Sequence, residues 1–167
     1  LFSTVTMAQR LSVLGIEMGT SIEKAEKILN ERYGEFNVYR TGNIKLSVYD
    51  ALVGGSEFAS IVLEFQCARY GNATYTYLCD VEIKKNFSEY SSAKSMFNTW
   101  EGKLTAKYNI EDIQEYKNNG GVHNDIVIYY KEGLMLVLSY GESKGGDMFW
   151  YVHVNYHENF VDDSNDY

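Results

Sequence analysis

EFASIVLEFQCARYGNATYTYLCDVEIK, residues Glu57–Lys84, carries the alternation that decides the fold. Ala59, Ile61, Leu63, Phe65 and Cys67 fall on one side of an extended chain, as do Tyr75, Tyr77, Cys79, Val81 and Ile83. Their opposite sides carry Glu64, Gln66, Thr74, Thr76, Asp80 and Glu82. A period of two with one apolar side predicts antiparallel strands, Glu57–Cys67 and Thr74–Lys84, covered on one face only. Between them, Tyr70-Gly71-Asn72-Ala73 has the chemistry of a turn. Setting Cys67 opposite Cys79 brings Phe65 to Val81 and Leu63 to Ile83, so every apolar side chain shares one face. A Cys67–Cys79 disulfide is the expectation, and two separate buried thiols are the alternative.

Upstream, GTSIEKAEKILNERYG (Gly19–Gly34) reads as a helix. Ile22, Ala25, Ile28, Leu29 and Tyr33 recur at helical spacing, Thr20 with Glu23 has capping-box form, and Gly34 is a left-handed stop. An apolar lead-in, Leu11–Met18, precedes it. Phe36–Arg40 and Ile44–Leu52 complete four strands after the helix, with Thr41-Gly42-Asn43 and Gly54-Gly55-Ser56 as connections. Downstream, a second helix starts near Ser88, with Tyr90, Ala93, Phe97, Trp100, Leu104 and Tyr108 as its apolar stripe. Gly102 marks a place where it could kink. Four more strands follow: Glu111–Lys117, His123–Lys131, Leu134–Tyr140 and Met148–His157.

Helix, four strands, helix, four strands invites a comparison of the halves. LNERYG (Leu29–Gly34) parallels LTAKYN (Leu104–Asn109), Tyr39-Arg40-Thr41-Gly42 parallels Tyr116-Lys117 and its turn, and VEIKKNF (Val81–Phe87) parallels VNYHENF (Val154–Phe160). These pairs stand roughly 75 residues apart, the fixed period of a duplicated unit. The expected fold is α+β: two tandem αββββ repeats, residues 9–87 and 88–160, forming an antiparallel sheet with both helices packed on one face. Residues 161–167 read as an acidic tail. Residues 1–8 read as the remnant of a secretory signal peptide, with Thr6 and Ala8 as the small residues before the cut, which predicts a secreted or periplasmic protein.

Bulk properties exclude some functions. The formal net charge of -8 repels phosphate backbones, which argues against nucleic acid as a partner. No apolar run approaches the roughly 20 residues that span a bilayer. A Ser nucleophile elbow and a phosphate-binding Gly loop are missing from the text, and the carboxylates are scattered, so neither a catalytic residue nor a cofactor is assigned. On a strand, His153 and His157 stand about 13 Å apart, too far to share a metal ion without a bend. Asn72-Ala73-Thr74 and Asn86-Phe87-Ser88 match the glycosylation sequon, which assigns no function. What remains is the face away from the helices. Phe149, Tyr151, His153 and Asn155 alternate with Met148, Trp150, Val152 and Val154, and Tyr129 can join them from a neighbouring strand. Aromatics on a stiff exposed surface are anchors for protein partners or glycans. The candidate binding residues are therefore Tyr129, Phe149, Tyr151 and His153. A hydrolase using His153, His157 and a carboxylate between the repeats is the alternative.

LGIEMGTSIEKAEKIL (Leu14–Leu29) resembles the repeat opening of small secreted Bacteroides-type proteins with the β-lactamase-inhibitor-like fold. It is similar, more weakly, to the helix start of the small outer-membrane assembly lipoproteins. The resemblance implies a unit occurring twice and binding through the open sheet face to an envelope or extracellular protein, or to a glycan. Two departures limit what it carries: the lipobox Cys of the lipoproteins is missing, and no inhibitory loop matches residue by residue.

Overall fold

The computed structural model describes residues 11–158 apart from 71–72, 109–113, 119–124, 132 and 143–144. Side chains of residues 59, 68–70, 73, 114–118, 125–131 and 142 also lie outside what is described. The apolar lead-in is a small ribbon, β1 (Ser12–Val13) and β2 (Ile16–Glu17). Its turn places Leu14 and Gly15 at φ 58° and 78°, the left-handed pair a two-residue hairpin needs. Leu11, Val13, Ile16 and Met18 are all buried, so the ribbon caps the core. The Gly19 N–H donates to the Leu78 carbonyl at 2.8 Å, and the Leu78 N–H to the Thr20 carbonyl at 2.8 Å.

Helix α1 spans Ile22–Tyr33 and buries Ile22, Ala25 and Leu29. Its N-cap is Ser21, whose hydroxyl accepts from the Lys24 N–H, not Thr20 as the capping-box reading predicts. Pairing with Leu78 holds Thr20 in the extended chain, so the helix starts one residue later. Gly34, at φ 87°, ends it, with its N–H on the Asn30 carbonyl. After a 3-10 turn at Glu35–Asn37 come β3 (Val38–Thr41), β4 (Lys45–Val53), β5 (Ser56–Tyr70) and β6 (Ala73–Phe87). Helix α2 (Tyr90–Tyr108) runs unbroken through Gly102 and buries Ala93, Phe97, Trp100 and Leu104. Then follow β7 (Gln114–Asn118), β8 (Asp125–Lys131), β9 (Leu134–Glu142) and β10 (Met148–His157).

Among the described residues, β3 to β10 form one eight-stranded sheet in the order β3-β4-β5-β6-β10-β9-β8-β7, every neighbouring pair antiparallel. The fold is α+β. The last strand of each group of four meets at the centre, where β6 pairs with β10 from Phe87↔Trp150 to Asp80↔His157. The inner residues of both groups, among them Leu46, Ile61, Leu63, Val81, Ile83, Leu136, Leu138, Val152 and Val154, join one core with both helices.

Two local features depart from simple alternation. In β4, Leu46 and Val48 are buried, Tyr49 and Asp50 exposed, then Ala51 and Val53 buried. Asp50 sits at φ 51°, and the inside–outside phase inverts there. Beyond it the β4–β5 tip turns its apolar side to α2. Phe58 meets Trp100 edge-on at 5.1 Å, and the Lys103 ammonium donates to the Gly54 carbonyl. The second departure removes the disulfide. β5 and β6 close as Tyr70↔Ala73, and their register shifts at Glu64/Phe65, so Phe65 faces Leu78 and Cys67 faces Thr76. Cys79 is the extra residue at this bulge. Both cysteines are free, Cys67 exposed and Cys79 buried with its thiol directed at the Glu64 carbonyl. The predicted pairing fails because the Tyr70↔Ala73 pairing and a bulge, which alternation does not reveal, set the register.

Candidate binding face

Burial of Val152, Val154 and Tyr156 against the helices leaves Phe149, Tyr151, His153, Asn155 and His157 on the other side of β10. The pairing then extends rows across this face. One runs Tyr49–Ser60–Lys84–His153–Val137, and the next runs Tyr39–Ser47–Val62–Glu82–Asn155–Met135. Three predicted site residues thus stand together. Tyr151 stacks on His153 with ring centroids 5.7 Å apart and planes 25° off parallel, and Phe149 meets Tyr151 at 6.1 Å. Tyr129 has its backbone in β8 opposite Met135, in the row of Asn155, and its side chain lies outside the described residues.

The rings lie over Gly141, which faces Phe149 across the β9–β10 pair. A Cβ at Gly141 would stand 3.3 Å from Tyr151 Cε1 and 3.8 Å from Phe149 Cζ, so a bare backbone lets the aromatics settle there. Lys84 places Nζ 4.5 Å above the Tyr151 ring, a cation–π contact. This face is not uniformly wet as the alternation predicts: Ser47, Val137 and Ser139 lie on it and are buried. His153 is only 16% exposed, and its Nε2 is buried with no hydrogen-bond partner among the described residues. Burial lowers its pKa below the usual imidazole value and Lys84 adds to that, while Glu82, 4.0 Å from Nδ1, works in the opposite direction.

The two histidines do not share a carboxylate. His157 has its own, donating from Nδ1 to Asp80 Oδ2 at 3.1 Å, and the Asn155 amide donates to Asp80 Oδ1 at 3.1 Å. Burial raises the Asp80 pKa in spite of both donors, and Glu64, opposite it on β5, raises it further. Burial likewise raises the Cys79 thiol, with Asp80 and Glu64 adding to the effect. Among the described residues, no three His, Cys, Asp or Glu side chains converge to hold a metal ion. No helix among them is long and apolar enough to cross a membrane.

The chain matches no known protein family, no curated protein and no solved structure. Its function is therefore argued from this face alone. Sequence reasoning missed Asp80, Glu82 and Lys84 as members of the site. Their alternation in DVEIK (Asp80–Lys84) was visible, but only the β6–β10 pairing sets them beside the exposed side of β10.

Proposed function

We propose that the protein is an exported, non-catalytic binding module that presents the helix-free face of its sheet to an envelope or extracellular protein, or to a glycan. The observation that carries this reading is the grouping of Phe149, Tyr151, His153 and Lys84 on the two central strands, where the backbone is held from both sides. Stiffly mounted aromatics with a cation beside them lose little freedom when a partner settles on them. Tyr129 enters the reading through its backbone position in β8.

We infer further that the module arose by duplication of an αββββ unit. Leu63↔Val81 in the first half matches Leu136↔Val154 in the second, in the relation that aligns VEIKKNF with VNYHENF. The same alignment equates Glu82 with Asn155, and these two pair across the seam, so a local two-fold passes between them. This arrangement supports the β-lactamase-inhibitor-like reading without assigning inhibition.

The test is binding to glycan arrays and to envelope extract, comparing wild type with Tyr151→Ala and His153→Ala. Loss of at least about tenfold in either assay fits an anchor role. Equal binding by wild type and both variants removes the face from the proposal. The Asp80–His157 pair, oriented by Asn155, favours one second reading: hydrolysis at the seam, with His157 as base. Turnover of a chromogenic ester panel that disappears in His157→Ala would support it.

A further inference from the structure

β4 is longer than the strand beside it. β3 pairs only from Lys45↔Thr41 to Val48↔Val38, whereas β5 follows β4 to Val53↔Ser56. From Tyr49 to Val53 the outer edge of β4 has no strand next to it among the described residues. Before Val38 the chain bends away through the 3-10 turn, and the vacated place becomes a groove of about 780 Å³ under the end of α1. Arg32, Tyr33, Asn37, Tyr39, Tyr49 and Leu52 line it. The Tyr33 hydroxyl donates to the Leu52 carbonyl at 2.9 Å, which shows that this carbonyl opens into the groove.

Three features of the groove point to one kind of occupant. An unpaired strand edge is a template for another extended chain. Its mixed polar and apolar walls carry exposed large side chains: Tyr39, Tyr49 and Leu52 are 55%, 56% and 59% accessible, and the two tyrosine rings stand 5.6 Å apart. Its charge is acidic on balance: Asp50 lines it beside Arg32, and Glu31 and Glu35 stand at the same end of α1, in a chain of net charge -8. We propose that this groove takes an extended peptide, apolar at alternate positions and flanked by lysine or arginine, laid along β4 from Tyr49 to Val53. Backbone hydrogen bonds align it where β3 stops, one apolar side chain enters between Tyr33, Tyr39 and Tyr49, and the basic ends meet Asp50 and Glu35. Tyr39 and Tyr49 belong to the same sheet face as Tyr151, but Tyr49 stands three strands from His153 at the β4 edge, and the proposal does not depend on the reading of the central strands.

The probe is a set of lysine-flanked heptapeptides in which Val, Ile, Phe or Tyr alternates with Thr, titrated into the 15N-labelled chain. Expected are amide shifts at Tyr49–Val53, binding weakened at least about tenfold by the exposed-site variant Tyr39→Ala/Tyr49→Ala, and weaker binding of glutamate-flanked peptides. N-methylation of the peptide amides along one edge should abolish binding, and along the other edge leave it within about twofold. Equal binding of both methylated forms overturns the proposal, as does the absence of β4 shifts at millimolar peptide. Shifts centred on Phe149–His153 also overturn it, while favouring the other face. So do β4 shifts produced by cellohexaose and not by peptide, which would make the groove a saccharide site.

Discussion

His153 is held at a cost. Its stacked ring gains contact with Tyr151, yet Nε2 is buried without a partner among the described residues, and a buried unsatisfied nitrogen costs about 1–3 kcal/mol. Its folded pKa lies below the ordinary 6.5, so the unfolded chain takes up the proton first. Stability is complete above 6.5 and is lost as pH falls from there through the folded value. Urea titrations at pH 7.5 and pH 5 should show this loss in wild type. His153→Phe should flatten that part of the pH dependence and match or exceed wild type at pH 7.5. The cysteines give a second test at this scale. In the native protein one thiol, that of exposed Cys67, should react promptly with a disulfide reagent, and both should react after denaturation. A count of zero that persists after denaturation without reductant would restore the disulfide. Free thiols do not argue against export, because an oxidising compartment cannot join residues that the register keeps from facing each other.

Element boundaries were legible wherever a local pattern made them. The period-two runs placed β10 at Met148–His157, and the helical stripe of α2 contained its buried residues Ala93, Phe97, Trp100 and Leu104, while Tyr90 at its start is exposed. Misplacement came where a distant partner decided. The α1 cap moved from Thr20 to Ser21 because Thr20 is bonded to Leu78. Ser21→Ala should therefore cost about 0.5–1 kcal/mol in chemical denaturation, and Thr20→Ala much less. The phase inversion at Asp50 was invisible too, since Tyr49-Asp50-Ala51 gives no turn signal. Its purpose is packing: it turns Phe58, 1% exposed, against Trp100. Phe58→Ala should lower stability by about 3–5 kcal/mol, measured by urea midpoint, and loosen the β4–β5 tip from α2.

Neither half of the molecule closes its own sheet. The edge of β6 is satisfied only by β10, and the core beneath that seam draws on Val81, Ile83, Val152, Val154 and Tyr156 from both halves. A fragment spanning residues 9–87 would expose that edge and its apolar margin, so it should be unfolded or self-associated in sedimentation. A monomeric fragment with a cooperative thermal transition would show that the seam is dispensable. In the whole chain, far-ultraviolet dichroism and tryptophan fluorescence should report one coincident unfolding transition.

By itself the sequence determined the fold class, the order of the helices and main strands, and the apolar side of the central strands along Val81–Ile83 and Val152–Val154, because those follow from spacing along a single segment; on the other side of the bulge the sides of β6 are exchanged, with Leu78 buried and Tyr75 exposed. It also placed Phe149, Tyr151 and His153 on one side of β10. Only the tertiary structure decided that β6 lies against β10, that Glu82 and Lys84 join the aromatic face, that Cys67 and Cys79 miss each other, and that β4 outruns β3. Each of those depends on which strand meets which, and at what register. Pairing between segments far apart in the chain is selected by the packed core as a whole, which no local period records.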